Sequence, residues 1–274
     1  MYRKEVNVQS PLRILDQSIH GGLGKGNLGV VMAPAGVGKS ACLVQIGLDD
    51  LMREKAVLHV AIGQTMEHVS AWYDAAFEDL ADVVQLADRA GVREGIGRRC
   101  FIKVFAEGTF NPERLDAALT ESEAHLRIEP SVVLVDGYDW NRPGCAGALQ
   151  AMKERARRAS AELWMTARTP PGYDVRPPQP ITPACVSCAA LIDVGLLLEP
   201  HGCDVRVRLV KDFDESPPSD IHLALRSDTL RLVNEAKPAA SPAASPRSFT
   251  LLATGTTGAE AEFGACADAG GSTR

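Results

Sequence analysis

Residues 28–40 read LGVVMAPAGVGKS. The run 28–33 is apolar throughout, which suits a strand covered on both faces, as in a parallel sheet. Ala33, Pro34, Ala35, Gly36, Val37, Gly38, Lys39 and Ser40 then fit the phosphate-binding pattern GxxxxGK[ST], with alanine in the first glycine position. The spacing has a mechanical reason. Gly36 and Gly38 let the backbone turn so that successive N–H groups face phosphate oxygens, and the following helix presents its positive end to the same anion. That helix is expected from ACLVQIGLDDLMREK, whose apolar residues recur near period 3.6. Lys39 is the expected counter-charge to β and γ phosphates, Ser40 a Mg²⁺ ligand, and Ala41 a further contact at the helix start.

Working outward, strand and helix signals alternate. AVLHVAI at 56–62 is a strand ending at Gly63, and a helical stretch from Met66 to about Ala90 follows in two pieces. CFIKVFA at 100–106 precedes an acidic helix from Pro112 to about Leu126, with proline in its first turn and Asn111 as cap. SVVLVD at 131–136 is another buried strand, and Asp136 at its end is the expected magnesium carboxylate. A basic helix, LQAMKERARRAS, leads to the strand AELWMTA at 161–167, and TPPGYDVRPPQPITP is too rich in proline for either element. IDVGLLLE, DVRVRLVKDF and IHLALRS then read as antiparallel strands at one edge. The fold class is therefore α/β: three layers, a mostly parallel twisted sheet and an antiparallel C-terminal extension. Residues 1–235 are the expected domain, 236–248 a Pro/Ala/Ser linker, and 249–274 a tail, either disordered or a truncated βα unit.

Composition narrows the classes further. The chain has 274 residues, 45% apolar and 23% charged, which excludes a wholly disordered or collagen-like protein. A net charge of −6 gives no overall attraction to nucleic acid or anionic membrane. Neither an apolar leader nor ~18 uninterrupted apolar residues is present, so the expectation is a cytoplasmic protein with no membrane segment. Seven scattered cysteines suit reduced thiols. Cys185 and Cys188 are spaced CxxC, but with no matching pair they are read as small apolar residues rather than a metal or redox site.

The run from Leu12 to Leu51, the strands AVLHVAI and SVVLVD, and the later LIDVGLLLEP and VRLVKDF resemble the RecA-like P-loop ATPases, most nearly the KaiC and DnaB-helicase branch, over residues 8–234. The resemblance implies ATP and Mg²⁺ as cofactors, a three-layer RecA-like fold, and a homo-oligomeric ring or filament with nucleotide between subunits. Two departures stand out. The family's water-activating glutamate at the end of the second strand is replaced by Gly63 and Gln64, and the position after Asp136 is Gly137. Gln64 and Glu67 are the remaining candidates for orienting water, with Asp139 further along. The branch also offers a neighbouring subunit's phosphate a lysine and an arginine two residues apart. Here Lys211 matches and Phe213 stands at the arginine position. Arg168 is either a sensor of the γ-phosphate or a surface charge.

Three functions follow as expectations. The first is a Mg-ATP-binding regulatory switch or assembly scaffold with slow or absent hydrolysis and a protein partner. The second is a DNA recombination or helicase-type motor, for which Lys153, Arg155, Arg157 and Arg158 are the candidate phosphate contacts. The third is a structural module with a non-functional pocket.

Overall fold

The computed structural model describes residues 1–170, 173, 183–215, 217 and 220–235. The proposed linker and tail, and most of the proline-rich segment after Thr169, lie outside these residues. The described residues form a nine-stranded sheet in the order β3-β2-β4-β5-β1-β6-β7-β8-β9. The strands are β1 (Leu28–Ala33), β2 (Val57–Ile62), β3 (Cys100–Phe105), β4 (Val132–Asp136), β5 (Glu162–Arg168), β6 (Val194–His201), β7 (Asp204–Asp212), β8 (Leu223–Leu225) and β9 (Leu232–Asn234). From β3 to β6 all neighbours are parallel, and β7, β8 and β9 add antiparallel pairings. The fold class is thus α/β with a mostly parallel mixed sheet.

Burial explains why these runs are strands. Every residue of β1, β2 and β4 is buried, because both faces of the sheet are covered. On one face α3 (Lys39–Met52), α4 (Met66–Val83) and α5 (Arg89–Gly97) pack with Val31, Val57, Leu134 and Leu196. On the other, α6 (Pro112–Leu126), α7 (Cys145–Arg158) and a 3-10 helix (Pro183–Leu191) cover Val30, Leu58, Val133 and Leu163. Asn111 caps α6 as expected, its Oδ1 accepting the Arg114 N–H at 2.9 Å. Two short helices were not anticipated. α1 (Arg3–Gln9) and α2 (Leu12–Ser18) precede the glycine-rich lead-in and bury Val6, Leu12 and Leu15 against the α3 side of the sheet. Among the described residues no helix is long and apolar enough to cross a membrane.

The start of β1 is held by a side chain. Asp193 Oδ2 accepts the Leu28 N–H at 2.7 Å and pairs with Lys153 Nζ at 2.6 Å, tying β1, α7 and the entry to β6 together. One residue on, Gly29 lies beside Trp164 of β5 in the same register row. A Cβ on Gly29 would overlap the indole. Gly29→Ala is expected to cost ~1–3 kcal/mol through overpacking, with a smaller increment in a Trp164→Phe background. Thermal melts of the two single variants and the double variant check this.

Candidate functional site

The loop between β1 and α3 has the geometry its glycines imply. Gly36 and Gly38 adopt φ of 79° and 102°, left-handed values at which an L side chain is strained. A side chain at Gly38 would also strike Leu225, 2.6 Å away on β8, whereas the space beside Gly36 is open. Gly38 caps α3, and the first bond of the helix ladder runs from Cys42 N–H to the Gly38 carbonyl. The N–H groups of Lys39, Ser40 and Ala41 therefore precede the ladder and are of the kind that a bound anion accepts from. Lys39 turns back over the loop, its Nζ donating to the Pro34 carbonyl at 2.7 Å. Burial lowers its pKa from 10.5 to about 8; Asp136 opposes the shift and Arg168 adds to it. The Lys39 ammonium thus feels both Asp136 and Arg168.

Asp136 is reached across β5, which lies between β1 and β4. The carboxylate is 3% exposed, and both oxygens are engaged. Oδ1 accepts from Thr166 Oγ1 of β5 at 2.6 Å, and Oδ2 accepts from Gln64 Nε2 at 2.7 Å. The Thr166 hydroxyl oxygen in turn accepts the Gly137 N–H at 3.1 Å. Gln64 Oε1 is buried and has no partner among the described residues. Gln64 is therefore clamped to the carboxylate through its amide nitrogen, with its oxygen still able to accept. The loop also bears a hollow of about 310 Å³ beside Pro34, bounded by Thr169, Glu199, His201 and Arg206.

The glycines that follow β4 and β2 are sterically committed. Gly137 has φ 84°, and a Cβ there would lie 2.5 Å from the Ile62 carbonyl oxygen, so the approach of β2 to β4 excludes any side chain. Gly63 has φ 73°, and a Cβ would lie 2.9 Å from Glu107 Cγ and Oε1. Glu107, from the loop after β3, thus brings a carboxylate against the end of β2. Sequence spacing carried no signal for it, because β3 and β2 become neighbours only in the sheet.

Other candidates are placed elsewhere. Glu67 is exposed in the first turn of α4, whose N-terminus is capped by Thr65, and makes no ion pair among the described residues. Asp139 is exposed and accepts the Asn141 N–H. Lys211 pairs in register with Gly195, which lies beside Val30, so it sits toward the opposite end of β1 from the glycine loop. Its ammonium donates to the carbonyls of Ala189, at 2.8 Å, and Ile192. Service to a neighbouring subunit would require it to give up both. The charges nearer the loop end of β7 are also occupied: Arg208 pairs with Glu199 at 2.9 Å and Arg206 donates to His201. Lys153 is bound to Asp193, Arg155 to Asp116 at 2.7 Å and Arg157 to Glu154 at 2.8 Å.

No family model and no curated protein sequence matches the chain.

Behind Asp136, His59 of β2 is fully buried and its Nδ1 lies 3.0 Å from Tyr73 Oη, while Nε2 has no partner among the described residues. Burial lowers its pKa from 6.5 to about 4, against the pull of Asp136. The folded chain therefore refuses a proton that the unfolded chain accepts, and stability falls as pH drops from 6.5 toward 4. At 1.36 kcal/mol per pKa unit the loss amounts to ~3 kcal/mol. Urea titrations at pH 7 and pH 4.5 are expected to show most of this difference, and His59→Leu to show a smaller one.

Proposed function

We propose that the chain binds Mg-ATP as a RecA-like P-loop protein, nearest in pattern to the KaiC and DnaB-helicase branch. On this reading it hydrolyses ATP slowly or not at all, and nucleotide state is read by a protein partner or by further copies of the chain. The observation that carries the reading is the conjunction of the left-handed glycine loop, Lys39 and the buried Asp136, in a site whose usual water-activating positions are closed by Gly137 and Gly63.

The residues present fit the group. Ser40 and Asp136 would hold the ion, and it would supply charge neutralisation of the phosphates. Both Asp136 oxygens already accept one hydrogen bond each, which suits contact through water rather than direct ligation. Gln64 Oε1, without a partner among the described residues, is an acceptor suited to such a water. Lys39 would exchange the Pro34 carbonyl for phosphate oxygens, regaining full charge. A glutamine fixed by its amide to Asp136 orients water but takes no proton from it, which supports slow turnover. The DNA motor loses support because three of the four basic side chains of α7 are bound to acids of the same chain.

Calorimetry with ATP and Mg²⁺ beside a phosphate-release assay tests the proposal. The wild type is expected to bind and to release phosphate well below the ~1 s⁻¹ of an ordinary enzyme. Lys39→Ala removes a charge-assisted contact of ~1.5–3 kcal/mol, so binding should weaken roughly 10–100-fold. Failure to bind at millimolar ATP overturns the reading, and brisk release overturns slow hydrolysis.

Lys39 offers a second test. With a pKa of about 8 it is partly neutral near pH 8, and bound phosphate returns it to the charged state. Binding at pH 8 should therefore take up about half a proton. Calorimetry in buffers of different ionisation enthalpy measures the uptake, and Lys39→Met should abolish it.

A further inference from the structure

Cys185 and Cys188 are spaced CxxC, yet the fold brings a different cysteine to Cys188. Cys145, the first residue of α7, and Cys188, in the 3-10 helix between β5 and β6, are 43 positions apart, and the Cys188 thiol donates to Cys145 Sγ at 3.7 Å. Both are free thiols and both are buried, at 6% and 1% exposure. The side chain of Cys185 lies outside what the structure describes.

Access to the two sulfurs is unequal. A hollow of about 380 Å³ is walled by Trp140, Arg142, Gly144, Cys145 and Ser187, so Cys145 borders it and Cys188 lies behind. Cys145 has the helix N-terminus beside it, which favours a thiolate, but burial and the Cys188 thiol hold its pKa up at about 11. The pair is therefore slow to react. Its attacking member is the one that borders the hollow. Closing 3.7 Å to the ~2.05 Å of a disulfide asks for a shift of under ~2 Å between a helix end and a 3-10 segment, neither of them inside the strand ladder.

We infer that Cys145 and Cys188 form a dithiol oxidation site that takes a small hydroperoxide, with Cys145 as the attacking sulfur and Cys188 as the resolving one. The Cys145 thiolate attacks the terminal peroxide oxygen and the O–O bond breaks. This leaves a sulfenic acid on Cys145 and an alkoxide or hydroxide, which takes a proton to become an alcohol or water. Cys188 then attacks the Cys145 sulfur, the S–O bond breaks, and hydroxide leaves as water with the Cys188 proton. Two thiols lose two electrons and two protons, and the peroxide is reduced. The product pins the loop that follows Asp136 to the segment entering β6. Nothing in this chemistry depends on nucleotide binding.

The test uses the full chain, treated with hydrogen peroxide under native conditions, alkylated and mapped by mass spectrometry without reduction. A peptide linked through Cys145 and Cys188, opened by dithiothreitol, is the expected result. In Cys188→Ser, dimedone should label Cys145, whereas in Cys145→Ser it should leave Cys188 unlabelled. A disulfide from Cys188 to Cys185 or to any other cysteine overturns the inference, as does recovery of both residues alkylated after oxidation of the wild type. Because the wild-type map decides the pairing, a variant that fails to fold does not weaken the test.

Discussion

A carboxylate buried at the end of a parallel strand must find donors or stay neutral, and Asp136 organises the C-terminal edge of the sheet around that need. Thr166 reaches it from β5, Gln64 from the turn after β2, and the Lys39 charge acts on it from the glycine loop. A strand and two connections that lead to different helices are thereby referred to one carboxylate. The order β2-β4-β5-β1 is what makes this possible, since β5 places a hydroxyl between the glycine loop and the acid. Thr166 serves twice, because its oxygen also accepts the Gly137 N–H and so fixes the turn by which the chain leaves β4.

What the sequence made legible follows from burial. LGVVMA, AVLHVAI and SVVLVD are read as strands because a sheet covered on both faces demands continuous apolar runs, and the observed strands begin and end within a residue of those runs. Asn111 followed by Pro112 announced α6 through chemistry confined to one turn. By contrast α1 and α2 span seven residues each, too short for a 3.6-residue period to show, and they are helical because Val6, Leu12 and Leu15 find the α3 face. The glycine loop and Asp136 were visible as motif and strand end. Thr166, Glu107 and the Cys145 neighbour of Cys188 were not, since a threonine inside AELWMTA or a glutamate in a loop acquires meaning only from strands paired out of sequence order.

The charges teach a similar lesson. Lys153, Arg155 and Arg157 form a basic stripe on paper, yet in the fold each is bound to an acid drawn from β6's entry, α6 or its own helix. Lys211 has an ammonium bound to two carbonyls at the far end of the central strand. Counting cations along a helix measures composition. Counting those left over after intramolecular pairing measures what an anionic partner would meet.

Gly137 carries a consequence for the routes open to this chain by mutation. A single codon change would ordinarily be the shortest way to turn a glycine into an acid. Here the Ile62 carbonyl oxygen stands 2.5 Å from where the first carbon of any side chain would go. Installing a carboxylate at that point requires β2 to retreat from β4, and β2 is held by ladders on both sides. The sheet itself thus makes that exchange a costly one, and the carboxylate that does stand against the end of β2, Glu107, comes from the loop after β3.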